Sequence, residues 1–336
     1  MGKQGHGMII TQTPLRVGLV GGGTDLPDFY REHGGRVLNA AIDKYVYVVV
    51  KQRFDDEIYV NYSAKEIVSR VEDLQHELVR EALHMTGIRG GLEITTLADI
   101  PSAGSGLGSS SAVTVGLLHA LFAYQGRQVT AEELADRACA IEIDRCRKPI
   151  GKQDQYAAAY GGICDLHFGP GDRVLVEQLA LTPSLRRQVQ GELLLFYTGI
   201  TRKADSILGE QRANISDKIT QLIQLRDLAG EAVAGLHEGD IDAIGVAVNK
   251  SWTAKRELAS GVSNSQIDEA VEAALAAGAT GAKVTGAGGG GFLLVVCPLE
   301  NQRSVRERLS HMRELPIKIE PYGSRVVLNV HRDIWS

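Results

Sequence analysis

Apolar positions recur along this chain with two periods, and the changes from one to the other mark its elements. Residues 8–13 and 15–20 are short β-branched runs, and 45–51 (YVYVVVK) and 58–62 are stronger ones, so all four predict strands. The spacing over 74–86 is helical, and 92–97 returns to strand. A glycine- and serine-rich loop then opens a long apolar helix over 109–124. Thr130, with Glu133 three residues on, carries a capping-box signal for a helix running to about Arg145. A hairpin turning at 169–172 fits residues 163–178, and 182–190 reads as a junction. Beyond it come a strand at 193–197 and mostly helices from 204 to 277. Strands at 282–285 and 292–296 then flank a last glycine run. A helix at 304–313 and strands at 317–320 and 325–330 close the pattern. This order predicts an α+β protein of two domains, 1–186 and 187–336, which 336 residues can supply with two cores.

The 38 glycines concentrate in three stretches, and these carry the candidate chemistry. The middle one, PSAGSGLGSSSA from Pro101, runs straight into the apolar helix. Glycine lets the backbone approach a ligand closely, and the N–H groups opening a helix favour an anion. Pro101, Ala103, Gly104, Gly106, Leu107, Gly108 and Ser109–Ser110–Ser111 therefore form a candidate phosphate cradle, whose hydroxyls suit a helix cap or a metal. A flexible loop with a serine cap is the plainer alternative. No GxxxxGK[ST] string occurs, so this is not a Walker A loop. The third stretch, TGAGGGGF from Thr285, contains GxGxxG, yet a strand follows where dinucleotide binding needs a helix. A tight strand-to-strand turn explains it as well as a ligand contact does. The first stretch, PLRVGLVGGGTD from Pro14, places Arg16 in a strand and Asp25 directly after three glycines.

Charge and composition narrow the partners. A net charge of −5 gives no broad basic surface, which counts against nucleic acid. No apolar run reaches the ~20 residues of a membrane span. Four scattered cysteines without a CxxC pair read as buried reduced thiols of a cytoplasmic protein. Residues 1–7 are polar and lack the apolar stretch of a secretory signal.

Taken in order, the three stretches resemble the motifs of the GHMP kinases, from Pro14 to about Val330. The resemblance implies two α+β domains with the active site between them. The N-terminal one would carry a left-handed βαβ crossover, and the C-terminal one would be ferredoxin-like. It implies ATP and Mg2+, with Ser110 and Glu142 as metal ligands, Asp154 as the catalytic carboxylate and Arg16 beside it. The apolar neighbours Ala140, Ile141 and Ile143 set Glu142 apart from a solvated helix charge.

Four strings, GGGTDLPDFY, NAAIDKYVYV, GKQDQYAAAYGG and YTGITRKA, resemble a subgroup that phosphorylates the anomeric hydroxyl of a heptose 7-phosphate. Gly22 and Gly23 stand where galactokinases carry Glu-His, which argues against galactose. On this reading Gly22, Gly23, Thr24, Asp25, Gly288 and Gly289 would contact the sugar. Lys44, Lys152, Arg202 and Lys203 are candidates for its phosphate, with Arg202 favoured because its fork fits phosphate. The partners implied are ATP and a sugar phosphate, with a homodimer left open. A kinase for an unphosphorylated sugar such as fucose, and a silent ATP- and sugar-binding sensor, are the alternatives.

Overall fold

The computed structural model describes residues 5–101, 104–201 and 204–332. The two runs at 8–13 and 15–20 form one strand, β1 (Gly5–Val20), with a register shift at Pro14. A short helix α1 (Pro27–His33) leads into β2 (Gly35–Gln52). Then come β3 (Ile58–Asn61), β4 (Lys65–Val68), α2 (Glu77–Thr86) and β5 (Leu92–Ala98). Helices α3 (Ser109–Tyr124), α4 (Ala131–Cys139) and α5 (Gln153–Tyr160) precede the hairpin β6 (Ile163–Phe168) and β7 (Val174–Gln178). The 182–190 junction is helical: Thr182 caps α6 (Pro183–Glu192), which has proline at its first position.

The second half holds β8 (Leu193–Tyr197), α7 (Ala204–Ala213), α8 (Ile219–Glu238), α9 (Ile241–Arg256) and α10 (Ser265–Ala276). It continues through β9 (Gly281–Val284), β10 (Phe292–Val296), α11 (Gln302–Arg308), β11 (Arg313–Glu314) and β12 (Arg325–Arg332). Residues 317–320 make only an isolated bridge, Ile42 to Ile319, instead of the strand expected there.

Two sheets organise these elements. The first runs β12-β1-β2-β5-β3-β4, and its long β2 pairs with β6 through its first half and with β5 through its second. β3 and β5 are parallel neighbours connected through β4 and α2. The second sheet is antiparallel, ordered β11-β8-β10-β9, as the ferredoxin-like expectation requires. One hydrophobic cluster runs from Ile9, Val48 and Leu118 to Leu236, Val248 and Leu294, tying α8, α9 and β10 to the first sheet. A second cluster seats α10 against the other sheet through Ile267, Ala282 and Val295. α3 buries Ala112, Leu117, Leu118, Ala120 and Leu121 on several faces, which explains its unbroken apolar sequence. The cysteines are unpaired, with Cys139, Cys164 and Cys297 buried. Among the described residues no helix is long and apolar enough to cross a membrane.

Candidate active site

The three glycine stretches converge on one cleft with about 930 Å³ of empty space, open to solvent at its mouth. Each arrives by a different backbone device. In the middle stretch Gly104, Gly106 and Gly108 all take left-handed φ near +70°. Gly108 is the N-cap of α3, so the cap is this glycine and not a serine hydroxyl. The first N–H groups of α3 have no intrahelical acceptor and point out of the helix end that the loop surrounds. Ser105 and Ser109 bond each other through their hydroxyls at 3.3 Å, while Ser110 and Ser111 both donate to Glu142 Oε2, at 3.2 and 3.3 Å.

Glu142 reaches the serines because the chain changes pitch beneath it. Residues 140–145 form a π-helical turn closed by the N–H of Cys146 donating to the carbonyl of Ile141. Glu142 is fully buried, accepts a third bond from Gln155 Nε2 at 3.3 Å, and is pushed above the ordinary carboxyl range by burial. Lys148 opposes that shift and donates to Ser110 Oγ at 3.1 Å. A buried carboxylate and a hydroxyl converging beside an anion cradle form a hard oxygen donor set, so these residues fit a magnesium ion.

β1 carries Arg16 inward, 5% exposed, to join loop and carboxylate. Its Nε and Nη2 donate to the two oxygens of Asp154 at 2.7 and 2.6 Å, and its Nη1 donates to the carbonyl of Gly106 at 2.6 Å. One guanidinium therefore fixes the distance between the cradle and Asp154. In the first stretch Thr24 is buried and its hydroxyl is spent on the carbonyls of Gly21 and Arg36, so it shapes the turn. Asp25 is 2% exposed and accepts from the N–H of Gly23 and from the backbone and side chain of Gln153. Burial raises its pKa, those backbone donors oppose the rise, and the nearby Asp154 charge adds to it.

The third stretch braces the second. Gly286 abuts Gly106, and Gly291 lies against the carbonyls of Gly104 and Ser105, where any side chain would collide with backbone. Gly286 and Ala287 line the cleft. Gly288 and Gly289 instead turn toward Val262, whose carbonyl accepts from Gly289 N–H at 2.7 Å.

The remaining sequence-derived candidates lie at varied distances from this cleft. Lys44 pairs with Asp43 at 2.8 Å and faces a separate cleft that includes Pro101. Lys152 donates to the carbonyl of Asp172 and lines a neighbouring depression with Tyr30. Leu107 is buried, and Gly22 lies beside Gln153 and Lys255. Ala103, Arg202 and Lys203 lie outside the described residues. Sequence reasoning missed Lys148, Gln153, Gln155, Gln211 and Lys255. Lys255 had a legible signal: it follows Val248 and Trp252 at helical spacing on the buried stripe of α9.

The sequence matches the pattern of the GHMP kinases N terminal domain over residues 68–162 and that of the GHMP kinases C terminal over 232–314. It is 30% identical over 302 residues to D-glycero-alpha-D-manno-heptose 7-phosphate kinase of Campylobacter jejuni, covering 85% of this chain and 88% of that one. It is also 30% identical to the L-fucokinase/L-fucose-1-P guanylyltransferase of Bacteroides fragilis, of which it spans 35%. The fold is shared with the crystal structure of a D-glycero-D-manno-heptose 1-phosphate kinase from Bacteroides thetaiotaomicron. That likeness has a TM-score of 0.79 and 24% identity, over 98% of this chain and 100% of that one. Matched in both halves, and aligned with a heptose phosphate kinase along most of its length, the chain belongs to the GHMP kinase family.

Proposed function

We propose that this protein is an ATP-dependent kinase that phosphorylates the anomeric hydroxyl of D-glycero-D-manno-heptose 7-phosphate, giving the 1,7-bisphosphate. The observation that carries the kinase chemistry is the Arg16 guanidinium, bonded at once to Asp154 and to the glycine loop. Phosphoryl transfer needs position and charge compensation more than covalent help, and this arrangement supplies both. The loop from Gly104 to Ser111 would hold the triphosphate on backbone N–H groups, with Ser110 and Glu142 holding magnesium. A bound magnesium ion would supply neutralisation of phosphate charge. As the bond from the γ-phosphorus to the β,γ-bridging oxygen breaks and the sugar oxygen bonds to phosphorus, the hydroxyl proton passes to Asp154. Arg16 stabilises the negative charge on the moving group, and Asp25 accepts from sugar hydroxyls.

The heptose assignment draws on the Campylobacter jejuni relative and on glycines at 22 and 23, where galactokinases carry Glu-His. Such a product suits activation by a nucleotide for surface glycan synthesis in the cytoplasm. The fucokinase relative favours a second reading, an unphosphorylated deoxyhexose as acceptor. Coupled ADP release across heptose 7-phosphate, free heptose, fucose and galactose, with the phosphorylated carbon read by phosphorus NMR, decides between them. Turnover of heptose 7-phosphate with a new anomeric phosphate is the expected result. Turnover of fucose alone overturns the assignment, and ATP binding without ADP release from any sugar would mark a sensor.

A further inference from the structure

One cation in the cleft has no task in the mechanism above. Lys255, near the C-terminal end of α9, lines the cleft and is only 7% exposed. Its ammonium carries three donors, and among the described residues it donates to the carbonyl of Gly286 at 2.5 Å. No carboxylate of the described residues comes within 4.0 Å of it. The other cations of the cleft among the described residues are engaged: Arg16 with Asp154, and Lys148 with Ser110 and Glu77. Burial lowers the Lys255 pKa to about 8, the mark of a charge held out of water without a full partner.

Gly22 lies directly against this ammonium. A side-chain carbon at position 22 would lie 3.5 Å from Gln153 Nε2 and 3.6 Å from Lys255 Nζ, both ordinary contacts. Unlike Gly21 and Gly23, Gly22 does not adopt left-handed φ. Neither backbone conformation nor packing therefore requires glycine here, and what the residue provides is room beside two N–H donors. Gln211 is buried on α7 at the same cleft.

We propose that Lys255, reached through the space over Gly22, binds the phosphate ester that the sugar already carries. The inference rests on the heptose 7-phosphate reading and adds the residue that tells the phosphorylated sugar from the free one. Phosphate oxygens would take up the two unused ammonium donors, and the amide of Gln153 would border them. Of the candidates weighed from sequence for this task, Lys44 and Lys152 do not line the cleft, and Arg202, the favoured one, and Lys203 lie outside the described residues.

The test compares kcat/KM for heptose 7-phosphate and for free heptose in the wild type, Lys255→Met and Gly22→Glu. A charge-assisted contact of this kind corresponds to about a 10- to 100-fold change. Both substitutions should lower the ratio of the two kcat/KM values by that factor, with KM for ATP within about threefold of wild type by the same reckoning. Gly22→Glu reaches the result by a second route, placing a carboxylate where the phosphate would sit without straining the backbone, and so guards against misfolding of Lys255→Met. Equal losses with both sugars, or a rise confined to KM for ATP, would overturn the proposal alone. Failure of the wild type to turn over heptose 7-phosphate would instead defeat the functional reading, and the proposal with it.

Discussion

Asp154 keeps about a quarter of its side chain open to the cleft, while both its oxygens accept from Arg16. It is thus positioned by one partner and still accessible to a second, which is what a proton acceptor needs. Asp154→Asn should lower kcat by at least about 100-fold, measured by coupled ADP release, with an unchanged far-ultraviolet dichroism spectrum. Near-normal turnover would remove this carboxylate from the chemistry. Lys255 makes a prediction of opposite charge. The groups around its ammonium are Asp25 and Asp154, which favour the charged form, and Arg16, which opposes it, while the Lys255 charge in turn lowers the pKa of buried Lys283. With its pKa lowered to about 8, the free enzyme holds the cation below that pH and loses it above. The kcat/KM for the sugar phosphate should therefore fall as pH rises through about 8. Lys255→Arg, which stays charged across this range, should remove that limb of the profile. An identical limb in Lys255→Arg would assign it to another group. Lys255 escaped sequence reading because a single lysine is normally a solvated surface group; only its place on an apolar helical stripe marked it out.

Among the elements, α3 and the turn after α4 differ in how much the sequence disclosed. The span of α3 was legible to the residue, since a glycine loop, a serine run and a long apolar stretch all agree. The π-helical turn over 140–145 was not, because the apolar pattern of Ala140, Ile141 and Ile143 fits an ordinary α-helix equally well. That turn sets the direction of Glu142, so the sequence named the residue without disclosing how it reaches the serines. The loop before α3 is the more sensitive part. Gly108 holds φ at +75°, and a methyl group there would stand 3.2 Å from Cγ of Arg16. Gly108→Ala should cost about 1–2 kcal/mol in stability from the left-handed backbone alone. By displacing the Arg16 fork it should also reduce kcat about tenfold or more, since small misplacements of a catalytic group are costly. Calorimetric Tm and steady-state kinetics read the two effects separately, and a stable variant with full activity would show that the fork tolerates movement.

At the scale of the molecule, local patterns revealed strands and helices but not which distant segments meet. Residues 8–20 and 325–330 were each legible as strands, whereas their pairing was not, because nothing local in either specifies its partner. The site suffers the same blindness: Gly286 abutting Gly106, and Lys255 facing Gly22, are contacts across more than half the chain. The pairing of β1 with β12 has a consequence for how the protein is made. Gln12 and Arg325, bonded side chain to side chain, are 313 positions apart. At a synthesis rate of about 5–20 residues per second, β1 leaves the ribosome roughly 15–60 s before the strand that covers it. During that interval its outer row of amide and carbonyl groups is an unprotected edge, open to pairing with another nascent chain. Expression yield should accordingly depend on translation speed and on chaperones that shield strand edges, even where the finished enzyme is stable.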